Sequence, residues 1–324
     1  MAARVVLALE DEGAKIKGES AHPLFPTRPV QTNHGIIGPY GKHPSSVNDK
    51  VTLVVRIPGA SEGQIEEVGR QLMPVVTAAV AKYCERYGDK TRENDPRTNK
   101  PKVAHHFEIR ALEQAVAVNV LGKAGHMGAI LECDNAITKA AYVVQELVSE
   151  NRRSILPGDP RKMELGLSPS APRERQLVLE GGQGFVPTHQ INEIQWRLTG
   201  AVQTGVRQYC EPVGVPYSAD MARVTFDKLH NDAFEQPIDS PAMRAAIYAC
   251  KRAGIWVDEP IVGWTVSCDA RLFAKQHPTR TVLTFGPGSL EHAHSAHEQV
   301  RVPDLLAAAK TLAIFALSFC GHTV

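Results

Sequence analysis

The sequence has almost no net charge: 36 Lys and Arg stand against 35 Asp and Glu over 324 residues, a formal +1. That balance removes the usual electrostatic warrant for a nucleic acid or an anionic membrane as partner, and it points to a small molecule or another protein. Paired cysteines are also missing. Cys84, Cys133, Cys210, Cys250, Cys268 and Cys320 are scattered without a CxxC, as reduced core thiols are in a cytoplasmic protein. The longest apolar run, Thr311 to Cys320, is too short to cross a bilayer. The opening MAARVVLALEDEG turns acidic too soon for a secretion signal. A soluble cytoplasmic chain is expected. GxSxG and GxxxxGK[ST] do not occur, and Gly181-Gly182-Gln183-Gly184 lacks the context of a dinucleotide fingerprint.

What is present is an ordered alternation of patterns. Residues 51–57 (VTLVVRI) alternate as a strand with one buried face. Ser61 and Gln64 then form a capping box, and Ile65, Val68, Leu72, Val75, Ala79 and Tyr83 recur at helical spacing, with Pro74 expected to bend the element. Residues 85–104 read as an exposed connection. Val116, Val118 and Val120 mark a second strand, and Ile137, Ala140, Ala141, Val144, Leu147 and Val148 a second helix. Beyond a proline- and arginine-rich stretch over 150–175, Ile191, Ile194, Leu198, Val202, Val206 and Tyr209 give a third helix, and Ala222 to Leu229 reads as a strand. This order predicts an α+β sandwich, a sheet covered by helices on one face.

The last hundred residues change character. Ser240-Pro241 and Gly254 bracket a helix with Met243, Ile247 and Cys250 on one side. Ile261 to Ser267 and Thr281 to Phe285 read as strands, and Leu305, Ala309, Leu312, Ala316 and Phe319 as the buried stripe of a closing helix. Together they imply α/β layering.

Thirteen histidines are the first candidates for chemistry, since imidazole is both a metal ligand and a base near pH 7. His22, His34 and His43 fall in proline- and glycine-rich sequence and read as loop residues. His105 and His106 open a strand on opposite faces, which prevents joint chelation. Glu291-His292-Ala293-His294-Ser295-Ala296-His297-Glu298 follows a predicted strand and a GPG turn, where α/β proteins place sites; a solvated charged loop fits the same pattern. Asp269 and Arg271 suit a ligand carboxylate or an internal salt bridge equally. His230-Asn231-Asp232 has a metal-ligand spacing but reads first as a turn.

The stretch GWTVSCDARLFAKQHPTRTVLTFGPGSLEHAHSAHEQV resembles the C-terminal end of the di-zinc aminoacylase, carboxypeptidase and deacylase family that includes acetylornithine deacetylase and succinyl-diaminopimelate desuccinylase. The order DAR, FGPG, AHSxxE carries the resemblance. VNVLGKAGHMGAILECDNAITKAAYVVQEL is similar to that family's lid or dimerisation domain, through GKxxHxG and NAI. The resemblance implies an α/β chain: an N-terminal segment over 1–45, a lid-like α+β dimerisation domain over 46–228, and the C-terminal part of an α/β metallohydrolase domain over 229–324. It implies zinc, two ions in a complete site, with His294 as ligand and Glu298 as its companion. Glu10, Asp11 and Glu12 are weaker ligand candidates, on a strand bearing a Glu-Glu pair. His126 is implied to donate to a developing oxyanion across a homodimer, with Asp269 and Arg271 at a substrate carboxylate. The activity implied is amide-bond hydrolysis by a metallopeptidase or deacylase acting on a carboxylate-bearing small molecule or peptide. The family's N-terminal catalytic half, with its HxD ligand pair, is expected to be absent, so that the translation start or gene model omits it, a partner chain supplies it, or the chain is a non-catalytic dimerisation or ligand-binding descendant.

Overall fold

A computed structural model describes residues 1–25, 31–95, 98–152, 164–166, 176–227, 232–288, 293 and 298–321. The elements in chain order are α1 (Ala2–Glu19), β1 (Thr32–Ile37), β2 (Ser46–Val47), β3 (Lys50–Arg56), α2 (Glu62–Tyr87), β4 (Phe107–Leu112), β5 (Ala115–Leu121) and β6 (Gly125–His126). They continue with α3 (Ala136–Arg152), β7 (Glu164–Gly166), β8 (Leu179–Gln183), α4 (Ile191–Val213), α5 (Pro241–Ala253), α6 (Ala270–Gln276) and α7 (Val302–Phe319).

The centre is an antiparallel sheet of order β4-β5-β3-β7. The units β3-α2-β4 and β5-α3-β7 interlock, so that β5 lies between β3 and β4, the split βαβ arrangement. Strand alternation decides which face is covered. Val51, Leu53 and Val55 stand opposite Val120, Val118 and Val116, and all six pack beneath α2 and α3 in one core.

The reading of α2 holds residue by residue: Ile65, Val68, Leu72, Val75, Ala79 and Tyr83 are buried. Gln64 Oε1 accepts from Ser61 N at 2.8 Å, closing the predicted box. Pro74 sits inside a helix that continues through it. On α3 the buried stripe runs through Ile137, Ala140, Val143 and Leu147, while Val148 is exposed. Where a single strand was expected before α3, β4 and β5 form a hairpin whose turn holds Gln114 at φ 50°.

The N-terminal residues correct the strand expected around Glu10. They form α1, built from Ala, Leu, Glu and Lys, all strong helix formers. This helix packs along α4 and across α3. Gly205 permits the first contact, since a Cβ there would lie 2.6 Å from Val5 Cα.

Among the described residues no strand follows β8. Of the strands expected at Ala222 to Leu229, Ile261 to Ser267 and Thr281 to Phe285, the last two and residues 222–227 of the first run as irregular chain, and residues 228 and 229 lie outside the described residues. Apolar alternation makes a strand only where another strand takes up the backbone N–H and C=O groups, and no described segment does so here. Helix α5 matches its reading: Ser240 Oγ accepts from Met243 N at 3.2 Å, and Gly254 adopts φ 77°. Helix α7 does not. Its buried residues are Ala308, Thr311 and Ile314, whereas Leu305, Leu312 and Phe319 of the expected core stripe are exposed. It packs against α5 and, at 18 residues, is long and apolar enough by length and composition to cross a membrane. The expectation above counted only its second half.

Candidate functional site

The C-terminal segment that carries the family resemblance lines a cleft of about 1160 Å³. Cys268, the Phe285-Gly286-Pro287-Gly288 turn and Glu298 line it, with Trp264 and Phe25 among its apolar walls. His294 lies outside the described residues, as do His292 and His297. Asp269 is the N-cap residue of α6, one residue beyond the cleft lining. The Arg271 guanidinium turns back on its own segment, donating to Ser267 Oγ and, at 3.2 Å, to the Cys268 carbonyl. These contacts are to a hydroxyl and a carbonyl, so they are neither the internal salt bridge nor the substrate carboxylate expected of Arg271.

His126 is held from the other side. Strand β6 pairs with β2, placing His126 opposite Ser46, and the ring is buried. Its Nδ1 accepts from Gly128 N at 2.9 Å, so in the neutral ring Nε2 carries the proton. The same turn reaches the cleft wall: Thr265 Oγ1 donates to the Gly128 carbonyl at 2.9 Å.

The three acidic candidates near the N-terminus separate. Neighbouring residues of a helix point about 100° apart, so Glu10, Asp11 and Glu12 face three directions and do not converge on one ion. Asp11 Oδ1 pairs with Arg86 Nη1 at 2.6 Å. Glu12 Oε1 pairs with Arg197 Nε at 2.6 Å, and its Oε2 accepts from Lys15 at 3.0 Å. Glu10 is buried. Tyr87 and Thr138 hydroxyls donate to it at 2.8 and 3.0 Å, and His34 Nε2 lies 3.1 Å away, poorly aligned for a hydrogen bond. Burial would raise the Glu10 pKa, but these contacts outweigh it and hold the carboxyl below the usual range. Glu10 thus ties α1 to β1, α2 and α3, and His34, expected in a loop, is a buried member of that knot.

Two further clusters escaped the sequence reading. Lys139 is fully buried on α3. Its Nζ donates to Asp134 Oδ2 and the Leu121 carbonyl, both at 2.6 Å, and lies 3.0 Å from His106 Nδ1. Tyr83 Oη donates to Asp134 Oδ1 at 2.6 Å, and burial, then the Asp134 charge, pushes the phenol pKa well up. The available signal was Lys139 itself, a cation amid Ala136, Ile137, Ala140 and Ala141. The second cluster is Glu19, His189 and Glu193. Arg197 already neutralises it, contacting Glu19 at 2.5 and 3.0 Å, and with His189 brings the Glu19 pKa down to about 2. A smaller cavity of about 270 Å³ lies against α1 and α2, lined by Glu10, Lys17, Tyr87 and Asn135.

Among the described residues, none of the expected zinc ligands come together, so no catalytic step through zinc follows from this geometry. No curated protein and no solved structure matches the chain. The family model described as Peptidase family M20/M25/M40 matches residues 20–318, running through the βαββαβ unit, the cleft and both motif segments. With a match of that extent, the chain belongs to Peptidase family M20/M25/M40, whose members are hydrolases of the metallopeptidase kind.

Proposed function

We propose that the chain is an amide-bond hydrolase acting on a carboxylate-bearing small molecule or peptide, in the cytoplasm, as a homodimer joined through the βαββαβ unit. The observation that carries this reading is the family match over residues 20–318. Zinc is the proposed metal, with His294 as a ligand. The zinc proposal rests on membership and motif order, because Glu10, Asp11 and Glu12 diverge. His126 is the proposed donor to the developing oxyanion. The Gly128 N–H on Nδ1 supports this role, since it leaves the proton on Nε2.

Metal analysis and amide hydrolysis of the purified chain test the proposal together. Two bound zinc ions per chain, with hydrolysis lost on chelation and restored by zinc, is the expected result. His126→Ala should abolish turnover and leave the zinc content unchanged; loss of zinc in that variant would refute the donor role. A second reading is favoured by the three acidic residues being engaged in packing: a non-catalytic dimerisation or ligand-binding protein descended from the family. A dimer without hydrolysis and without the two zinc ions of a catalytic centre would establish that reading, and a chain that hydrolyses amides only with an added partner chain would point to a divided enzyme.

A further inference from the structure

Apart from the cleft, the C-terminal end of α2 brings together three ligand types drawn from separate elements. Cys84 lies in the last turn of α2. The helix stops at Gly88, whose φ of 85° suits glycine and turns the chain back so that Asp89 faces the cysteine. His106 enters from the start of the β4 segment. Cys84 Sγ is 3.5 Å from His106 Nε2, and Asp89 Oδ1 is 3.0 Å from the same nitrogen. All three ligand atoms lie within 4.8 Å of one another.

From these residues we propose a divalent metal site of zinc type, formed by Cys84 Sγ, Asp89 carboxylate and His106 Nε2, with a fourth position open to water. The spacing fits. With tetrahedral angles, metal–ligand bonds near 2.3 Å to sulfur and 2.0–2.2 Å to nitrogen and oxygen place S and N about 3.6 Å apart and N and O about 3.4 Å apart. The observed separations are 3.5 and 3.0 Å, and Cys84 Sγ and the Asp89 oxygen lie within 4.8 Å, so the set is completed by an adjustment of the Asp89 side chain. Thr91 holds that carboxylate through its N–H and hydroxyl, at 3.0 and 2.6 Å. The ligand mix of thiolate, imidazole and carboxylate selects zinc over magnesium or calcium. The site is open enough for entry: Cys84 is half-buried, and the Asp89 side chain is 28% exposed.

Occupancy rearranges protons in a defined way. The Cys84 thiol, whose pKa is raised by burial and then by Asp89, gives one proton to solvent as the metal–sulfur bond forms. The His106 proton passes from Nε2, where it meets Asp89, to Nδ1. There Asp134 Oδ2 lies 3.9 Å away, beyond hydrogen-bond reach, and a closer approach of the two would give the carboxylate contact usual for a metal-bound histidine. Lys139 gives up its contact with Nδ1 and keeps Asp134 and the Leu121 carbonyl.

Cobalt(II) titration of the purified full chain tests the site, because a thiolate ligand produces a sulfur-to-cobalt charge-transfer band that imidazole and carboxylate ligands do not. The expected result is a band saturating at one equivalent, displaced by zinc, absent in Cys84→Ser, and requiring at least tenfold more cobalt in Asp89→Asn. A wild-type chain without the band, or a band that survives in Cys84→Ser, overturns the proposal. If Cys84→Ser fails to fold, alkylation of the wild-type chain decides: zinc should slow modification of Cys84 at least tenfold, and an unchanged rate overturns the site. The readout is independent of amide hydrolysis, and an occupied site adds to the two zinc ions of a catalytic centre a third that Cys84→Ser removes, so failure of either proposal leaves the other standing.

Discussion

Leu72 and Leu306 are both helical leucines among apolar neighbours, yet Leu72 is fully buried and Leu306 is 68% exposed. The contrast extends to their regions. Residues 1–227 hold a continuous core in which two helices cover a four-stranded sheet. Residues 232–321 bury only Ala242, Ala249, Ala308 and Ile314 among their described apolar side chains, leaving Trp264 48%, Phe273 58% and Phe285 43% exposed. The difference lies in backbone pairing. In the first region each strand has a neighbour, so alternation becomes a face and the face attracts a helix. In the second, apolar segments of strand-like sequence have no described strand beside them, and α5 and α7 meet mainly through small residues.

The contrast is broken most severely at Lys139. Lys139→Met leaves buried Asp134 with the Tyr83 hydroxyl and a His106 ring nitrogen 3.9 Å away, and removes the Lys139 bond to the Leu121 carbonyl. Removing one partner of a buried pair costs about 3–5 kcal/mol. Denaturant unfolding followed by tryptophan emission and by far-ultraviolet circular dichroism should show that loss; a change under about 1 kcal/mol would mean that water reaches the pair.

Leu72→Ala comes next, because Leu72 fills the space between α2 and the sheet. Cavity formation there should cost about 2–5 kcal/mol in the same unfolding measurement. Protection of β3 and β5 amides against hydrogen exchange should fall with it, while amides of α5 and α7 remain unchanged.

Glu10 sharpens the comparison through pH. Its pKa is lowered in the folded chain, so the carboxylate contributes stability that is present above the unfolded glutamate pKa and is lost as pH falls through the lower folded value. Melting temperature should therefore decline on acidification below the ordinary glutamate range. Glu10→Gln should lose about 1–3 kcal/mol at neutral pH and flatten that decline; an unaltered acid slope would show that other carboxylates control it.

These contrasts also separate what the sequence made legible from what it concealed. Helix α2 was readable because a long period-3.6 stripe meets one continuous apolar surface, and α5 because Ser240 and Gly254 are local signals that need no partner. The M20 relationship was readable from GKxxHxG, FGPG and AHSxxE. The strand expected at Thr281 to Phe285 was not decidable locally, since a strand is defined by the segment beside it. Nor was the Cys84, Asp89 and His106 cluster: Cys84 and Asp89 are brought face to face by the Gly88 turn, and His106 arrives from the next element. Glu10 was misplaced for a related reason, because an acidic triplet reads as converging ligands on a strand and as diverging ones on a helix.

The smallest expected effect is at Leu306. Because the side chain is largely solvated in the described chain, Leu306→Ser removes little buried surface and should change stability by less than about 0.5 kcal/mol. Its informative readout is association. Leu305, Leu306, Leu312 and Phe319 leave α7 with exposed apolar surface, the kind of face that another chain or a bilayer covers. If a second copy or another chain covers α7, Leu306→Ser should weaken that association in sedimentation while leaving the melting of residues 1–227 intact. If instead Leu306→Ser lowers the stability of the isolated monomer by the amount expected for Leu72→Ala, the helix is buried within its own chain and the difference between the two regions disappears.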